Sequence, residues 1–334
     1  MHFLVIGGTR FIGPHVVARL TASGHKVTVF HRGQAESVLP GGVEHIHGDR
    51  RELPGFRPVF EKLAPDAVID MVPLTEPDAR SVVLTFKGLA RRLVAVSSQD
   101  VYRAYGRLRH LEPGPPDPVP LREEAPLRER LFPYRGSGGR LEDYEKILVE
   151  RVVMGQPDLP GTVLRLPMVY GPGDYQHRLF DYLKRMDDGR PFILLERDEA
   201  RWRWTRGYVE DIAAAIALAA VSDRAAGRIY NVGEPTALTL AEWVTRIGRV
   251  AGWTGRVVTL PRERMPAHLL LHIDPSQDLV ADTSRIRVEL GYSESVSQDE
   301  ALRRTVDWER AHPPAQIDPS HFDYAAEDAV VRAI

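Results

Sequence analysis

The chain contains no cysteine among its 334 residues. This absence excludes disulfide bonds, thiol nucleophiles and cysteine-ligated zinc sites. Lysine is also scarce, because only five of the 44 basic residues are lysines and the other 39 are arginines. The formal net charge of −2 provides no overall field that would attract nucleic acid or an anionic membrane.

Long apolar runs and targeting signals are missing as well. No run approaches the ~18–20 residues that a membrane-spanning helix needs, and the amino terminus lacks the basic flank of a signal peptide. We therefore predict a cytoplasmic protein that does not associate with a membrane. No metal site is predicted, because His268 and His272 lie four residues apart but lack the glutamate of the helical zinc motif.

The hydrophobic pattern alternates between strand-like and helix-like segments. Strands that alternate with helices indicate an α/β fold with a doubly wound, mostly parallel sheet. A segment rich in proline and glycine, from about Arg107 to Pro133, interrupts the alternation and is predicted to be a surface excursion. The predicted strands lie near residues 3–6, 27–30, 43–47, 67–71, 93–97, 162–166 and 228–232, and the helices near 11–22, 80–89, 143–154 and 211–221.

A glycine-rich turn joins the first predicted strand to the first predicted helix. Glycines at such a turn let the backbone approach a pyrophosphate, and the following helix N-terminus offers free N–H groups. The usual glycine spacing is not met, since Arg10 stands where a middle glycine would be, and a tight turn without a ligand is the alternative. The position in the first βαβ unit predicts a dinucleotide site of the Rossmann type. The turn reads Gly7-Gly8-Thr9-Arg10-Phe11-Ile12-Gly13.

Five motifs follow one another in a fixed order. Together they resemble the extended short-chain dehydrogenase/reductase superfamily, and within it the NAD-dependent epimerase/dehydratase family, over roughly residues 1–310. The resemblance implies an NAD(P)-dependent oxidoreductase, epimerase or dehydratase that moves a hydride to or from a sugar-like substrate, nucleotide-linked or not. The motifs are the glycine turn, Val96-Ser97-Ser98-Gln99-Asp100-Val101-Tyr102, Leu164 to Gly173, Arg206 to Asp211, and Tyr230 to Gly233.

The resemblance also assigns the cofactor contacts. His31 takes the place where NAD-preferring members carry a carboxylate, and Arg32 follows it. Because an arginine fork pairs well with a phosphate, Arg32 and Arg10 lead us to predict NADP as the cofactor, with NAD as the alternative. The remaining implied contacts are Gly7, Gly8, Thr9, Phe11, Ile12 and Gly13 with the dinucleotide, Asp49 with the adenine edge, and Pro167, Met168 and Val169 beside the nicotinamide.

The catalytic group that the resemblance implies is a serine, a tyrosine and a lysine, and the tyrosine is where this chain departs from the family. Ser98 and Lys146 match, but Glu142 occupies the position four residues before Lys146 that the family gives to tyrosine. Tyr134 would reach the site if residues 136–139 folded back, and Tyr144 would reach it if the helix opened irregularly. A third interpretation is that both tyrosines are interface aromatics and no acid/base exists.

The substrate side is less well matched. Arg206 corresponds to an arginine that holds a substrate diphosphate in the family, and its fork geometry suits that role. Residues 271–275 lack the arginine that the family uses for nucleotide sugars, so the substrate need not be an ordinary nucleotide sugar. The alternation of arginine and tryptophan in residues 201–206 is interpreted as a cleft-lining strand rather than as a stretch that stacks on RNA bases.

These observations lead to a prediction of domains and partners. We predict a dinucleotide-binding domain from residues 1–171 and 207–233, a smaller substrate-binding lobe from 172–206 and 234–312, and a tail from 313–334. The expected partner is a small molecule, nucleic acid is not expected, and a homodimer is considered. The alternative function is a dinucleotide-binding protein without turnover, acting as a redox sensor or an RNA-associated factor.

Overall fold

The core of the fold is a parallel sheet of seven strands. The computed structural model describes residues 1–34, 38–139 and 141–332. The strands are β1 (His2–Ile6), β2 (Lys26–His31), β3 (Glu44–His47), β4 (Ala67–Asp70), β5 (Arg92–Ser98), β6 (Gly161–Leu166) and β10 (Arg228–Asn231). They lie in the order β10-β6-β5-β4-β1-β2-β3, and each neighbouring pair is parallel.

Helices cover both faces of this sheet, so the central strands β1, β4, β5 and β6 are almost fully buried, whereas the edge strand β3 is mostly exposed. One face packs against α1 (Ile12–Ala22) and α7 (Val209–Val221), and the other against α2 (Arg57–Leu63), α3 (Glu76–Phe86) and α5 (Lys146–Met154). The predicted doubly wound α/β fold is confirmed.

The remaining elements lie mainly in the second half of the chain. Two small parallel pairs form there, one from β7 (Met168–Tyr170) and β9 (Arg206–Tyr208), the other from β8 (Phe192–Glu196) and β11 (Arg256–Leu260). The division into two lobes and a tail stays a prediction. The other helices are α4 (Arg103–Leu108), α6 (Phe180–Asp187), α8 (Leu240–Ala251), α9 (Ser284–Leu290), α10 (Gln298–Ala311) and α11 (Tyr324–Arg332).

Two helices begin three or more residues away from the start that the sequence pattern indicates. The predicted helix 80–89 begins earlier, at Glu76, because Thr75 and Asp78 form a capping box. The predicted helix 143–154 begins later, at Lys146, because the Glu145 carboxylate caps it by accepting from the Ile147 amide. Within the described residues, no helix is both long enough and apolar enough to cross a membrane.

The sheet order reverses between β1 and β4. The chain moves outward through β2 and β3 on one side of this point, and through β5 and β6 on the other. The carboxyl ends of all parallel strands meet at one edge, and open α/β sheets bind ligands at such a switch point. Ile6, Asp70 and Ser98 end their strands there, so the predicted glycine turn and serine motif share one edge.

Candidate active site

The glycine turn after β1 has the shape of a phosphate cradle. Gly7 has a φ of 82°, and its amide donates to the Phe30 carbonyl at 3.0 Å. A Cβ on Gly13 would lie 2.6 Å from the Gly8 carbonyl carbon, so only glycine fits there. Phe11 precedes α1 and makes no side-chain cap to its first amides. These amides and the glycine backbone fit a pyrophosphate, and this fit supports a dinucleotide at the turn.

A cluster of phenol hydroxyls surrounds one carboxylate just after β5. Asp100 Oδ2 accepts from the Tyr144 hydroxyl at 2.8 Å and from the Tyr134 hydroxyl at 3.1 Å. The Tyr105 and Tyr134 hydroxyl oxygens are 2.9 Å apart. Since Tyr134 donates to Asp100, Tyr105 donates to Tyr134. Ser98 lies beside this cluster and accepts from the Asp100 amide at 3.2 Å. The four side chains of Asp100 and the three tyrosines form one continuous hydrogen-bonded chain.

Lys146 lies below this cluster as the first residue of α5. Its Nζ donates to the Pro73 carbonyl at 2.7 Å and to the Val96 carbonyl at 2.9 Å. Pro73 follows β4, and Val96 belongs to β5. The Nζ lies 5.7 Å from the centre of the Tyr144 ring. Burial lowers the pKa of Lys146 to about 8, against the opposing effect of the Asp100 charge. An ammonium has three protons, so one donor is left for a ligand.

The late start of α5 explains how Tyr144 and Lys146 come together. The family spacing of four residues applies to two positions on one helix, but Tyr144 precedes this helix and is not bound by that geometry. Tyr134 approaches from the other side, and the two rings are 5.1 Å apart. The structure therefore brings both candidate tyrosines to Asp100, and which of them acts as the acid/base stays a prediction.

A buried ion pair fixes the two tyrosine segments. Arg128 and Glu145 have no exposed side-chain surface, and Arg128 Nη2 lies 3.0 Å from Glu145 Oε1. Arg128 Nε donates to the Asp100 carbonyl at 2.5 Å, and Glu145 Oε2 accepts from the Phe132 amide at 2.6 Å. The pair therefore connects the end of β5, the approach to Tyr134 and the first turn of α5.

Burial and the charge of Asp100 favour the protonated form of both tyrosines in the cluster. Burial raises the pKa of Asp100, and the hydrogen bond from Tyr144 and the charge of Arg128 oppose this effect. Burial also raises the pKa of Tyr144 and of Tyr134 well above its ordinary value, and the negative charge of Asp100 adds to the effect in both cases. A hydrogen bond with Ser98 works in the opposite direction on Tyr144. Both tyrosines are thus protonated near neutral pH.

Sequence reasoning missed two members of this cluster. Asp100 lies two residues after Ser98 inside the quoted strand-end motif, so its position was visible but its role was not. Tyr105 lies on α4, two residues before the segment that was interpreted as a surface excursion. Nothing in the pattern pointed to Tyr105, because its contact with Tyr134 crosses 29 positions of irregular chain.

The other predicted cofactor residues lie at the same edge of the sheet or in the core behind it. Met168 and Val169 are buried and pair with β9, and Pro167 comes directly after β6. Asp49 follows β3, where hydrogen bonds from Arg51 lower its pKa to about 2. His31 ends β2. Thr9 is buried, Ile12 begins α1, and Arg10 and Arg32 are exposed.

Arg206 is a buried cation in β9. Its guanidinium lies 4.4 Å from the centre of the Trp243 ring and donates to the carbonyls of Trp204 and Leu238 at 3.2 Å. Its Nε has no hydrogen-bond partner in the part of the chain that the structure describes. Burial lowers its pKa to about 10. The predicted contact with a substrate diphosphate stays a prediction.

Comparison with known proteins gives a consistent result. The chain is 28% identical to 2'-dehydrokanamycin reductase of Streptomyces kanamyceticus over 85% of this chain and 75% of that protein. It is 25% identical to a chloroplast stem-loop binding protein of Arabidopsis thaliana over 69% of this chain and 57% of that protein. The fold resembles UDP-glucose 4-epimerase of Thermus thermophilus in complex with NAD, with a TM-score of 0.66, 24% identity and coverage of 93% and 100%.

The sequence profile of one family extends over most of the same region. The profile of the NAD dependent epimerase/dehydratase family matches residues 3–233, which include the glycine turn, Asp100 and Lys146. The matched region also holds six of the seven strands of the sheet in full, and β1 from its second residue onward. This chain therefore belongs to the NAD-dependent epimerase/dehydratase family of enzymes.

Proposed function

We propose that the enzyme transfers a hydride between a nicotinamide dinucleotide and a carbonyl or hydroxyl carbon of a sugar-like substrate. The observation that carries this proposal is the convergence of Tyr144 and Tyr134 on Asp100, beside Lys146, at the carboxyl end of β5. A bound dinucleotide would supply the hydride chemistry. The glycine turn and the first turn of α1, which has no side-chain cap, would hold its pyrophosphate, and Lys146 has one donor left for the ribose.

The protein's own part in this reaction is to move a proton. When hydride is added to a carbonyl carbon, the carbonyl oxygen gains negative charge and must take up a proton. Tyr144 is the donor, because its raised pKa keeps it protonated and because it contacts Ser98, which orients the substrate oxygen. The lost proton is replaced through Asp100 from Tyr134 and then from Tyr105, which is half-buried and takes up one proton from solvent. In oxidation the substrate proton leaves along the same path, each group passing on one proton as it receives one, and one proton is released to solvent.

The substrate class follows from the buried cation and from the missing arginine. Arg206 is a buried cation whose Nε has no partner within the described ranges, and an anionic group of the substrate would give it one. Residues 271–275 offer no second arginine for a nucleotide diphosphate. We therefore propose a keto-sugar or its alcohol that carries a diphosphate or another anionic group. The activity named for 2'-dehydrokanamycin reductase supports the keto-sugar part of this proposal.

The test of the catalytic proposal is a substrate panel followed by three substitutions. Nucleotide sugars and keto-sugar glycosides are incubated with NADP, NAD and their reduced forms, and absorbance of the reduced nicotinamide and product identity are followed. Tyr144→Phe should lower kcat by roughly 10²–10⁴-fold, and Tyr134→Phe and Asp100→Asn should each lower it by at least about tenfold. Tyr324→Phe is the control, because Tyr324 lies in the tail and its hydroxyl donates to Asp188, so it should leave kcat unchanged. If neither tyrosine near Asp100 matters, the mechanism is wrong.

NADP is the proposed dinucleotide. His31 ends β2 without a carboxylate that would repel a 2′-phosphate, and Arg32 and Arg10 are exposed at the same edge of the sheet. A charge-assisted arginine–phosphate bond typically contributes about 1.5–3 kcal/mol, or roughly ten- to a hundredfold in affinity. Arg32→Ala should therefore weaken NADP far more than NAD, whereas Arg91→Ala, which faces the amino ends of the strands near Asp66, should change neither. Equal or tighter NAD binding by the wild-type enzyme would contradict this preference.

The alternative without turnover has less support. The indole of Trp202 is buried and donates to the Gln277 carbonyl at 2.9 Å, so this ring is not available for stacking on an RNA base. Trp204 packs against it at 5.3 Å between ring centres. Detection of tight dinucleotide binding without turnover of any panel substrate would favour the alternative. The cytoplasmic location and a homodimer stay predictions.

A further inference from the structure

Three histidines meet at the outer edge of the sheet, away from the tyrosine cluster. His31 is the last residue of β2, and His45 and His47 are two residues apart in β3. The two strands are parallel, with His31 opposite His47 and Val29 opposite His45. Paired residues of neighbouring strands point to the same face, and residues two apart in one strand do so as well. The three imidazoles therefore project from one face.

Their ring nitrogens are close enough to share one ion. One nitrogen from each histidine can be chosen so that all three lie within 4.8 Å of one another. His31 Nε2 and His45 Nδ1 are 2.8 Å apart, and the His31 and His47 ring centres are 4.7 Å apart. Across residues 1–34, 38–139 and 141–332, this is the single group of three such side chains that meets this distance.

The tautomers of two rings follow from their contacts. The Gly33 amide donates to His31 Nδ1 at 3.2 Å, so the proton of a neutral His31 ring is on Nε2. That proton points at His45 Nδ1, which accepts it. His31 Nε2 and His45 Nδ1 thus share one proton between them. A metal ion that bonds to both nitrogens would take the place of that proton. His31 would then carry its proton on Nδ1 and lose the contact from Gly33.

We propose that His31, His45 and His47 bind one divalent transition-metal ion of the zinc type, with the fourth position open to water. Zinc binds imidazole nitrogen at ~2.0–2.1 Å in a tetrahedron, which sets the ligand nitrogens about 3.3 Å apart. The nitrogens of His31 and His45 lie 2.8 Å apart, and the three ligand nitrogens lie within 4.8 Å of one another, so binding requires side-chain rotations that move them by about 1.5 Å at most. His45 and His47 are exposed.

The donor set defines which ions fit. Imidazole suits zinc, copper, nickel and cobalt, whereas magnesium and calcium prefer oxygen ligands. No carboxylate belongs to the group, and a cysteine is excluded by composition. A bound ion would connect the short edge strand β3 to β2 directly. The proposal depends on these three side chains and not on the proposed hydride transfer, so either can fail without the other.

The experiment uses the full chain without an affinity tag, stripped of metal with a chelator and then dialysed. Zn²⁺ is titrated by calorimetry, Co²⁺ by its visible absorption, and Mg²⁺ serves as the oxygen-preferring comparison. We expect one equivalent of Zn²⁺ and of Co²⁺, an intense tetrahedral cobalt spectrum, and no heat from Mg²⁺. Addition of Zn²⁺ should also move the Gly33 amide resonance, because its acceptor on His31 becomes protonated.

Substitutions locate the ion. His45→Gln and His47→Gln should each weaken Zn²⁺ binding by more than the roughly 10–100-fold that loss of a supporting contact typically causes. His272→Gln, at an exposed histidine outside the group, should leave the affinity unchanged. Wild-type protein that takes up no Zn²⁺ or Co²⁺ would overturn the proposal. Uptake that survives both His45→Gln and His47→Gln would overturn it too, since the ion would then bind elsewhere.

Discussion

The buried ion pair between Arg128 and Glu145 gives a prediction that needs no substrate. Glu145→Gln keeps the side-chain length and an oxygen that can accept from the Ile147 amide, but it leaves the Arg128 guanidinium buried without its anion. Removal of one partner of a buried pair typically costs about 3–5 kcal/mol. Arg128 keeps its bonds to the Asp100 and Arg130 carbonyls, so we expect a loss of about 3 kcal/mol, at the lower end of that range.

Urea unfolding monitored by circular dichroism measures this loss. Asp143→Asn is the matched control, because its carboxylate is 80% exposed and lies 3.5 Å from the half-exposed Arg135, and such pairs contribute about 0–1 kcal/mol. The double variant Arg128→Met with Glu145→Leu removes both charges and should recover much of the loss. If Glu145→Gln unfolds within about 1 kcal/mol of the wild type, the pair does not hold the site together as we argue.

Three further predictions test other parts of the site. Gly13→Ala should lower the free energy of unfolding by about 1–3 kcal/mol and abolish dinucleotide binding, because the added Cβ would lie 2.6 Å from the Gly8 carbonyl carbon. Gly55→Ala is the control: its Cβ meets nothing within 4 Å, so it should change neither quantity in the same melting and titration assays. Burial lowers the pKa of Lys146 from 10.5 to about 8. Between pH 8 and 10 the unfolded chain therefore binds more protons than the folded chain at this group, so the group's contribution to the free energy of unfolding rises with pH. Urea midpoints measured across that range should lack this rise in Lys146→Met. Arg206→Ala should raise the substrate dissociation constant at least tenfold (~1.4 kcal/mol) with the dinucleotide constant unchanged, and the opposite pattern in paired titrations would contradict its assignment.

The sheet could be predicted from the sequence because local signals determine it. Most of the strands are short apolar runs that alternate with helical segments, so a parallel sheet follows from the general rules of α/β folds. The boundaries of α3 and α5 were less accurate, since hydrophobic periodicity does not register a capping side chain such as Thr75 or Glu145. Errors of this size matter at α5, where the starting residue decides whether Tyr144 is helical.

The site was harder to predict than the sheet, for a physical reason. Its contacts cross long stretches of irregular chain, such as the 34 positions between Asp100 and Tyr134 and the 44 between Asp100 and Tyr144. Neither periodicity nor spacing describes a segment of turns, so the resemblance supplied Ser98 and Lys146 but not Asp100. The group of three histidines was hard to predict for a similar reason. The sequence shows that His45 and His47 are two residues apart, but His31 joins them only through the register of β2 and β3.

Tyr134 and Tyr144 share one carboxylate in the fold, so they need not be alternatives to each other. Spacing in the sequence presents them as two candidates for a single position, of which only one can be correct. In the fold both hydroxyls donate to the same oxygen, Asp100 Oδ2, and the segments that carry them are held by one ion pair at Glu145. A proton that leaves one hydroxyl therefore changes the charge that the other faces. A helical spacing would fix one tyrosine relative to Lys146, whereas this fold positions two tyrosines through one carboxylate.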